Sequence, residues 1–544
     1  MTGFRWREHL GVLAAAAVVT ALLTYPVSRH PRTTARIDSS DGQFSIWNVS
    51  WVARTIVADP IHVFDANIFY PHRGTLLYSE ANLVAGILAA PVYWTSRNPY
   101  FAHNSVLMLS FFLCAVGMYW LVFHLTGNRW GSAVAAISFA FCPYLYAHTT
   151  HIQLLMTPGI PFSMLAFHRL ADRPTNRRAA VLGLAMALTV YSCAYYGVFI
   201  VLMVGFAVLL VAALRRQWKD TAYWSSMLVA GGVSAALVLP LFLPYALRER
   251  SGGFTRTLRE AQRYAANWYA YAASSAWAHF WLPYLHNRWT DAAFPGVVAT
   301  AFGVGRLVTA HRLRGRAAEI VILYGSITIA AFWISLGPSA GLYSLLYWLM
   351  PGFSLMRAPV RFALIVAFGL AVLAGLAVQA LMSRARVPLA VGGVLVALTL
   401  AEHYYWFSFR PVPPPSPAYD VLASQAPAPV IEMPFFEQPP FFPRHSFYML
   451  MSTRHWMPLV NGYSDYTPPD FQETAVALAP FPFPRAFARA KELGVRYAMF
   501  HLNVYDARTR AEVEGRLREF APYLRELYAD ADTRLYEISG FPPQ

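Results

Sequence analysis

The stretch Gly197-Val198-Phe199-Ile200-Val201-Leu202-Met203-Val204-Gly205-Phe206-Ala207-Val208-Leu209-Leu210-Val211-Ala212-Ala213-Leu214, followed at once by Arg215-Arg216, decides the class of fold. A charge-free run of this length crosses the apolar core of a bilayer as a helix, and an arginine pair at its end marks a cytoplasmic flank. The whole chain repeats that texture. Of its 544 residues 57% are hydrophobic, 15% aromatic and only 13% charged, and mean hydropathy is +0.38. Soluble domains carry about 25% charged residues, so a soluble enzyme is excluded, as are disordered, collagen-like and disulfide-rich chains. The three cysteines, Cys114, Cys142 and Cys193, sit inside apolar runs and read as small packing residues. The net charge is +15, and Lys219 and Lys491 are the only lysines. Arginine between spans accounts for this excess better than nucleic-acid binding does.

Ten further runs of spanning length lie near 10–27, 104–126, 130–147, 152–170, 178–196, 223–247, 293–311, 318–337, 360–383 and 387–406. The first follows Arg5 and Arg7. Tyr25-Pro26-Val27-Ser28-Arg29-His30 offers no small-residue cleavage site, so it is read as an uncleaved span with a cytoplasmic N-terminus rather than a signal peptide. Four arginine clusters (Arg173, Arg177, Arg178; Arg215, Arg216 with Lys219; Arg306, Arg312, Arg314, Arg316; Arg384, Arg386) become cytoplasmic with two spans between each consecutive pair. The run 83–94 is short and contains Pro91, so it dips into the membrane or lies along it. The result is an α-helical polytopic membrane protein of eleven spans, or thirteen if a span is miscounted, with an odd total. It is expected in the bacterial inner (cytoplasmic) membrane.

On this topology the outward segments are a first loop, 28–103, a second, 248–292, and everything after residue 409. Residues 1–409 form the transmembrane module. The Pro-rich linker Pro411-Val412-Pro413-Pro414-Pro415 then leads into a small extracytoplasmic α/β domain, 410–544. There, strands are expected at 430–433, 495–500 and 533–538, and helices at 485–493, ended by Gly494, and 507–527. In the first loop, Phe44, Trp47 and Trp51 recur at helical spacing over 43–57, which predicts an interfacial helix with its Trp rings at headgroup depth. Tyr404-Tyr405-Trp406 reads as an aromatic anchor.

No Walker loop, zinc spacing, nucleophile elbow or dinucleotide fingerprint is present. The chemistry-bearing residues cluster on the outward side. Arg36-Ile37-Asp38-Ser39-Ser40-Asp41-Gly42-Gln43 offers two carboxylates on a loop that opens a helix, where N-capping by Asp41 is the competing role. Glu80, in Tyr78-Ser79-Glu80, abuts an apolar run, where an unpaired carboxylate is expensive. His72 and Arg73, with His148, His151 and Gln153 at an outward turn, are candidate substrate ligands. Leu355-Met356-Arg357-Ala358-Pro359-Val360-Arg361-Phe362 presents two guanidinium forks around a proline, suited to a lipid phosphate or, alternatively, to anchoring the span. Loop 248–292 adds Arg248, Arg250, Arg256, Arg259 and Arg263 among aromatics, against the positive-inside trend, which favours an anionic ligand.

Together, Asp41-Gly42-Gln43 with Trp47 and Trp51, Asn67-Ile68-Phe69-Tyr70-Pro71, Tyr78-Ser79-Glu80 and Arg357-Ala358-Pro359-Val360-Arg361-Phe362, with an echo in Leu459-Val460-Asn461-Gly462-Tyr463-Ser464, resemble the GT-C superfamily of membrane glycosyltransferases. The resemblance covers roughly residues 1–410 and concerns a poorly characterised bacterial subgroup. It implies inverting transfer of a sugar from a polyprenyl-phosphate donor to a glycan, lipid or protein acceptor on the outer face of the membrane, with no nucleic-acid partner. Asp41, or else Asp38 or Glu80, would be the catalytic carboxylate. Arg357 and Arg361, then Arg256 and Arg259, would bind the donor phosphate. Should a divalent cation (Mg or Mn) be used, Asp38, Asp41, Glu80 and His151 are its candidate ligands. A polysaccharide ligase or polymerase with a diphosphate-linked donor is the alternative enzyme, and a lipid or solute transporter the alternative class.

Overall fold

The computed structural model describes residues 6–249, 256–282, 291–350, 352–405 and 408–543. Each of the eleven apolar runs carries helix. Seven described helices are long and apolar enough to cross a membrane: Trp6–Leu23, Pro99–Thr126, Arg129–Ala147, Ala194–Leu214, Thr221–Tyr245, Gly315–Ser335 and Pro359–Met382. Val297–Val308 and Pro388–Glu402 are shorter apolar helices, as is Leu83–Ser96 with Pro91 inside it. The runs near 152–170 and 178–196 form Gly159–Asp172 and Asn176–Ser192. The chain divides into two compact units, residues 1–30 with 106–408, and residues 31–105 with 409–544.

The first unit is built around the helix Ala363–Met382, which is buried along nearly its whole length. Val297–Val308, Arg129–Ala140 and Gly315–Ser335 pack against it. The approach of Arg129–Ala140 is close because both helices carry glycine there. A Cβ on Gly131 would run into the Gly375 carbonyl, so neither position tolerates a side chain.

Charged groups tie the helix ends together. Asp172 lies 3.1 Å from Arg215, 2.6 Å from Arg316 and 3.2 Å from His124, and Arg215 also meets Glu319 at 2.7 Å. Residues from three of the four arginine-bearing turns therefore meet at one end of the helices. Elsewhere in the unit, Glu402 accepts from His279 Nε2 at 2.9 Å, from the Val298 amide at 3.1 Å and from the Val297 amide. It thereby supplies the cap of Val297–Val308 from another helix, a favourable place for a carboxylate. Tyr405 of the expected aromatic anchor stacks on Tyr146, and Trp406 lies outside the described residues.

In the second unit, β1 (Thr34–Ala35) pairs antiparallel with β2 (Arg410–Pro411), so the Pro-rich linker opens as a strand. A four-stranded sheet of order β3-β4-β6-β5 follows: β3 is Val430–Met433, β4 Tyr497–His501, β5 Leu524–Ala529 and β6 Thr533–Ile538. β3 and β4 are parallel, and the other pairs antiparallel. The helix expected over 507–527 stops at Glu519, and residues 524–529 are strand instead. The reason is the turn after them. The Asp530 carboxylate accepts from the amides of Asp532 and Thr533 at 2.8 and 2.7 Å, closing a hairpin that pairs β5 with β6.

The first loop folds into this same unit. Ser39 caps the helix Ser40–Ala58 by accepting from the Gly42 amide, and Asp41 adds a negative charge to its first turn. Trp47 and Trp51 are packed inside the protein rather than on its surface. Trp47 is fully buried, donating to Asn67 Oδ1 at 3.1 Å, and Trp51 donates to the Val63 carbonyl at 2.8 Å and packs edge-on against Trp456. The Asn67-to-Pro71 segment pairs with the chain around Leu459. Leu459 N–H donates to Asn67 O at 2.8 Å, Tyr70 N–H to Leu459 O at 3.0 Å, and Phe69 N–H to Asn461 O at 3.2 Å. Gly462 lies so close to the Phe69 ring that a Cβ would collide with it.

The Asp172 cluster makes a pH prediction. Burial opposes the Asp172 charge, but hydrogen bonds from His124 and Arg316 outweigh it and hold the carboxyl below the ordinary carboxylate range. Such a group stabilises the fold above its unfolded value of about 4 and loses that contribution as pH falls toward its folded value. At neutral pH, Asp172→Asn should therefore melt lower, by the equivalent of about 1–3 kcal/mol. The gap from wild type should close as the pH is taken below about 4. Parallel melting curves across that range would contradict the assignment.

Candidate functional site

Each unit holds one group of the residues singled out above. In the first unit, Ala358 is extended, Pro359–Phe362 forms a single tight turn, and the long helix begins at Ala363. Proline at the start of that turn disfavours helix at the residue before it, so Arg357 precedes the turn and Arg361 lies within it. Both reach Tyr195. The Arg361 guanidinium sits over the Tyr195 ring, 4.0 Å from its centroid, and the Arg357 backbone N–H donates to Tyr195 Oη at 3.0 Å. The Arg357 guanidinium lies 5.0 Å from the centre of the Tyr264 ring. Tyr195 is available because the chain breaks at Cys193, between Asn176–Ser192 and Ala194–Leu214. Among the described residues, no carboxylate is ion-paired with either arginine.

The Arg361 charge acts on Tyr144, His148 and Asp291. His148 stacks on Tyr144, ring centroids 4.2 Å apart, and donates from Nδ1 to the Tyr144 carbonyl at 2.7 Å. Burial pushes it down to about 3, so it is a neutral imidazole. Burial also raises the Asp291 carboxyl above its ordinary range, against the pull of Arg361. His151 lies 6.5 Å from His148, ring to ring, with Thr150 Oγ1 at 2.9 Å from its Nδ1, and Gln153 is half-buried on the next turn.

In the second large loop, Arg256 pairs with Glu260 at 3.4 Å and its amide donates to Ser354 O at 2.9 Å, whereas Arg259 and Arg263 are exposed. Arg250 and the side chain of Arg248 lie outside the described residues.

In the second unit, Tyr463 donates to Asp41 Oδ1 at 3.1 Å, its ring set edge-on to Phe44 at 5.9 Å. Gln43 donates to Ile37 O and accepts from Ser446. Asp38 is held in a fork with Arg36, at 2.9 and 3.4 Å. The Glu80 carbonyl accepts from Asn48 and Asn82. His72 meets Asp470 at 3.0 Å, and Arg73 is exposed. Among the described residues no three His, Cys, Asp or Glu side chains converge on a point that would hold a metal ion, so the residues present do not fit one.

The sequence reading did not identify the side chains that the structure brings against these candidates, Tyr195 and Tyr264 against the two arginines and Tyr463 against Asp41. Tyr463 carried a signal, since it closes the Asn461-Gly462-Tyr463 string. Tyr195 follows a break at Ser192-Cys193 that contains neither glycine nor proline, so spacing gave no warning of it.

No protein-family model matches the chain, and no curated protein sequence does. Solved structures match over almost its full length. ArnT from Cupriavidus metallidurans, bound to undecaprenyl phosphate, is 12% identical, with 99% of this chain and 100% of that one covered at a TM-score of 0.51. The Archaeoglobus fulgidus oligosaccharyltransferase in its apo form is 14% identical (98% and 75% covered, TM-score 0.51). The arabinofuranosyltransferase AftD from Mycobacteria is 14% identical (97% and 41% covered, TM-score 0.54). The chain thus shares the fold of these three proteins.

If the Tyr195 ring holds the Arg361 cation, the two side chains are coupled energetically. A double-mutant cycle of Tyr195→Leu and Arg361→Gln, read from unfolding of the purified protein, should give a coupling of about 0.5–2 kcal/mol. A coupling near zero would show that the contact does not hold the guanidinium.

Proposed function

We propose that this protein is a membrane glycosyltransferase that moves a sugar from a polyprenyl-phosphate donor to an acceptor hydroxyl, with inversion, on the outer face of a bacterial inner membrane. The observation that carries this reading is Arg361: a guanidinium held by an aromatic ring and ion-paired to no carboxylate among the described residues. A cation in that state has its charge available for an anion. The reading takes that anion to be a lipid phosphate, and it is supported by a neighbour of the same fold that was solved with undecaprenyl phosphate bound.

In the reaction, the acceptor oxygen attacks the anomeric carbon as the bond from that carbon to the phosphate oxygen breaks. The bonding pair leaves with polyprenyl phosphate. Arg361 and Arg357 stabilise the charge that builds there, because planar forks match phosphate geometry and do not lose their proton. Asp41 takes the acceptor proton. Tyr463 fixes the orientation of that carboxylate by donating to Oδ1. Helix capping is performed by Ser39, whose side chain accepts from the Gly42 amide. The sugar enters only as an electrophilic carbon with a phosphate leaving group, and no step is routed through a metal.

Two substitutions test the roles. Asp41→Asn keeps an oxygen for Tyr463 and leaves the Ser39 cap intact, so the protein should reach normal membrane levels while transfer falls about 10²–10⁴-fold. Full activity in that variant would remove Asp41 as the base. Arg361→Lys keeps the charge but not the fork. It should lower turnover and donor affinity, whereas a simple interfacial anchor would work equally well as lysine.

A further inference from the structure

Away from these groups, the helices Gly159–Asp172 and Asn176–Ser192 enclose a cavity of about 550 Å³ in the first unit. Its floor is apolar, with Leu165 on one side and Val181, Leu184 and Leu188 on the other. Val181, Leu184 and Leu188 are about half exposed, at 52%, 49% and 51%, which in a membrane helix means contact with acyl chains. The mouth is lined by Arg169, Arg177 and Arg178. None of the three is ion-paired with a carboxylate among the described residues. The nearest acid in the chain, Asp172, is committed to Arg215, Arg316 and His124.

Arg178 is not a loose side chain. Its Nη1 donates to the carbonyls of Arg169 at 2.8 Å and Arg173 at 3.2 Å, so the C-terminal end of one helix fixes the guanidinium at the mouth. Its Nε and Nη2 donate to no protein group among the described residues. Thr175 caps the following helix beside it, with its side chain accepting from the Arg178 amide at 3.4 Å. Three cations and a helix N-terminus therefore border one apolar trough, the combination that a headgroup phosphate and its acyl chain require. Snorkelling arginines alone would need neither a fixed guanidinium nor a cavity beneath it.

We propose that this groove is a binding site for an anionic phospholipid of the surrounding leaflet. The phosphate lies among Arg169, Arg177 and Arg178, and an acyl chain runs along Val181, Leu184 and Leu188. The site is separate from the Arg357–Arg361 pair and independent of the reaction assigned to it.

The full-length protein in detergent is titrated with phosphatidylglycerol, phosphatidylcholine and undecaprenyl phosphate, and bound lipid is counted by native mass spectrometry. Wild type should retain phosphatidylglycerol in preference to phosphatidylcholine. Arg169→Gln with Arg178→Gln should lower that retention by about tenfold to a hundredfold. Arg312→Gln with Arg314→Gln, in a different turn, should leave it unchanged. Should the arginine variant fold poorly, Val181→Trp fills the trough while keeping every charge and should also expel the lipid. Equal retention of the two phospholipids, unchanged retention in both groove variants, or displacement by undecaprenyl phosphate in preference to phosphatidylglycerol would each overturn the proposal.

Discussion

The side-chain amide of Asn67 is the contact on which the second unit depends. Its oxygen accepts from the indole N–H of Trp47, and its nitrogen donates to Ser452 Oγ and to the Met457 carbonyl, each at 3.1 Å. One buried side chain thereby joins a segment near the start of the chain to one almost four hundred residues later. The backbone pairing of Asn67, Phe69 and Tyr70 with Leu459 and Asn461 extends that seam. Losing the amide would strand a buried indole N–H and a carbonyl, each costing about 1–3 kcal/mol. Asp41 inherits its setting from the same seam, because the segment that supplies Asn461 goes on to supply Tyr463.

Arginine shows how one residue type is used in opposite ways. Arg215 is neutralised twice, by Asp172 and Glu319, and its task is to bind helix ends together. Arg361 is held by a ring and, in the proposed reaction, its charge serves the donor phosphate. A carboxylate partner would have fixed Arg361 equally well but would have cancelled its use for phosphate. An aromatic face stabilises a cation without neutralising it.

Much of this was legible in advance. Apolar length alone located the helices, because a chain in lipid must satisfy its backbone hydrogen bonds internally. Gly494 ended its helix, and β3 and β6 were found at their observed bounds. What escaped reading shares one cause. Trp47 and Trp51 sit at helical spacing whether they face lipid headgroups or a protein core, and periodicity does not distinguish the two. The core that takes them comes from residues beyond 409, and no local pattern announces a pairing over that distance. Residues 524–527 were misread as helix because the deciding signal, the Asp530 turn, lies after them. Tyr195 and Asp291 approach Arg361 only through the tertiary packing of the first unit.

The most direct test of the central claim is where a lipid phosphate binds. A photoreactive undecaprenyl phosphate carrying its crosslinker next to the phosphate should label peptides containing Arg357, Arg361 and Tyr195. Unlabelled undecaprenyl phosphate should compete that labelling away, and Arg361→Gln should abolish it. Competable labelling confined to other parts of the chain, or labelling at this turn that survives Arg361→Gln, would contradict the account.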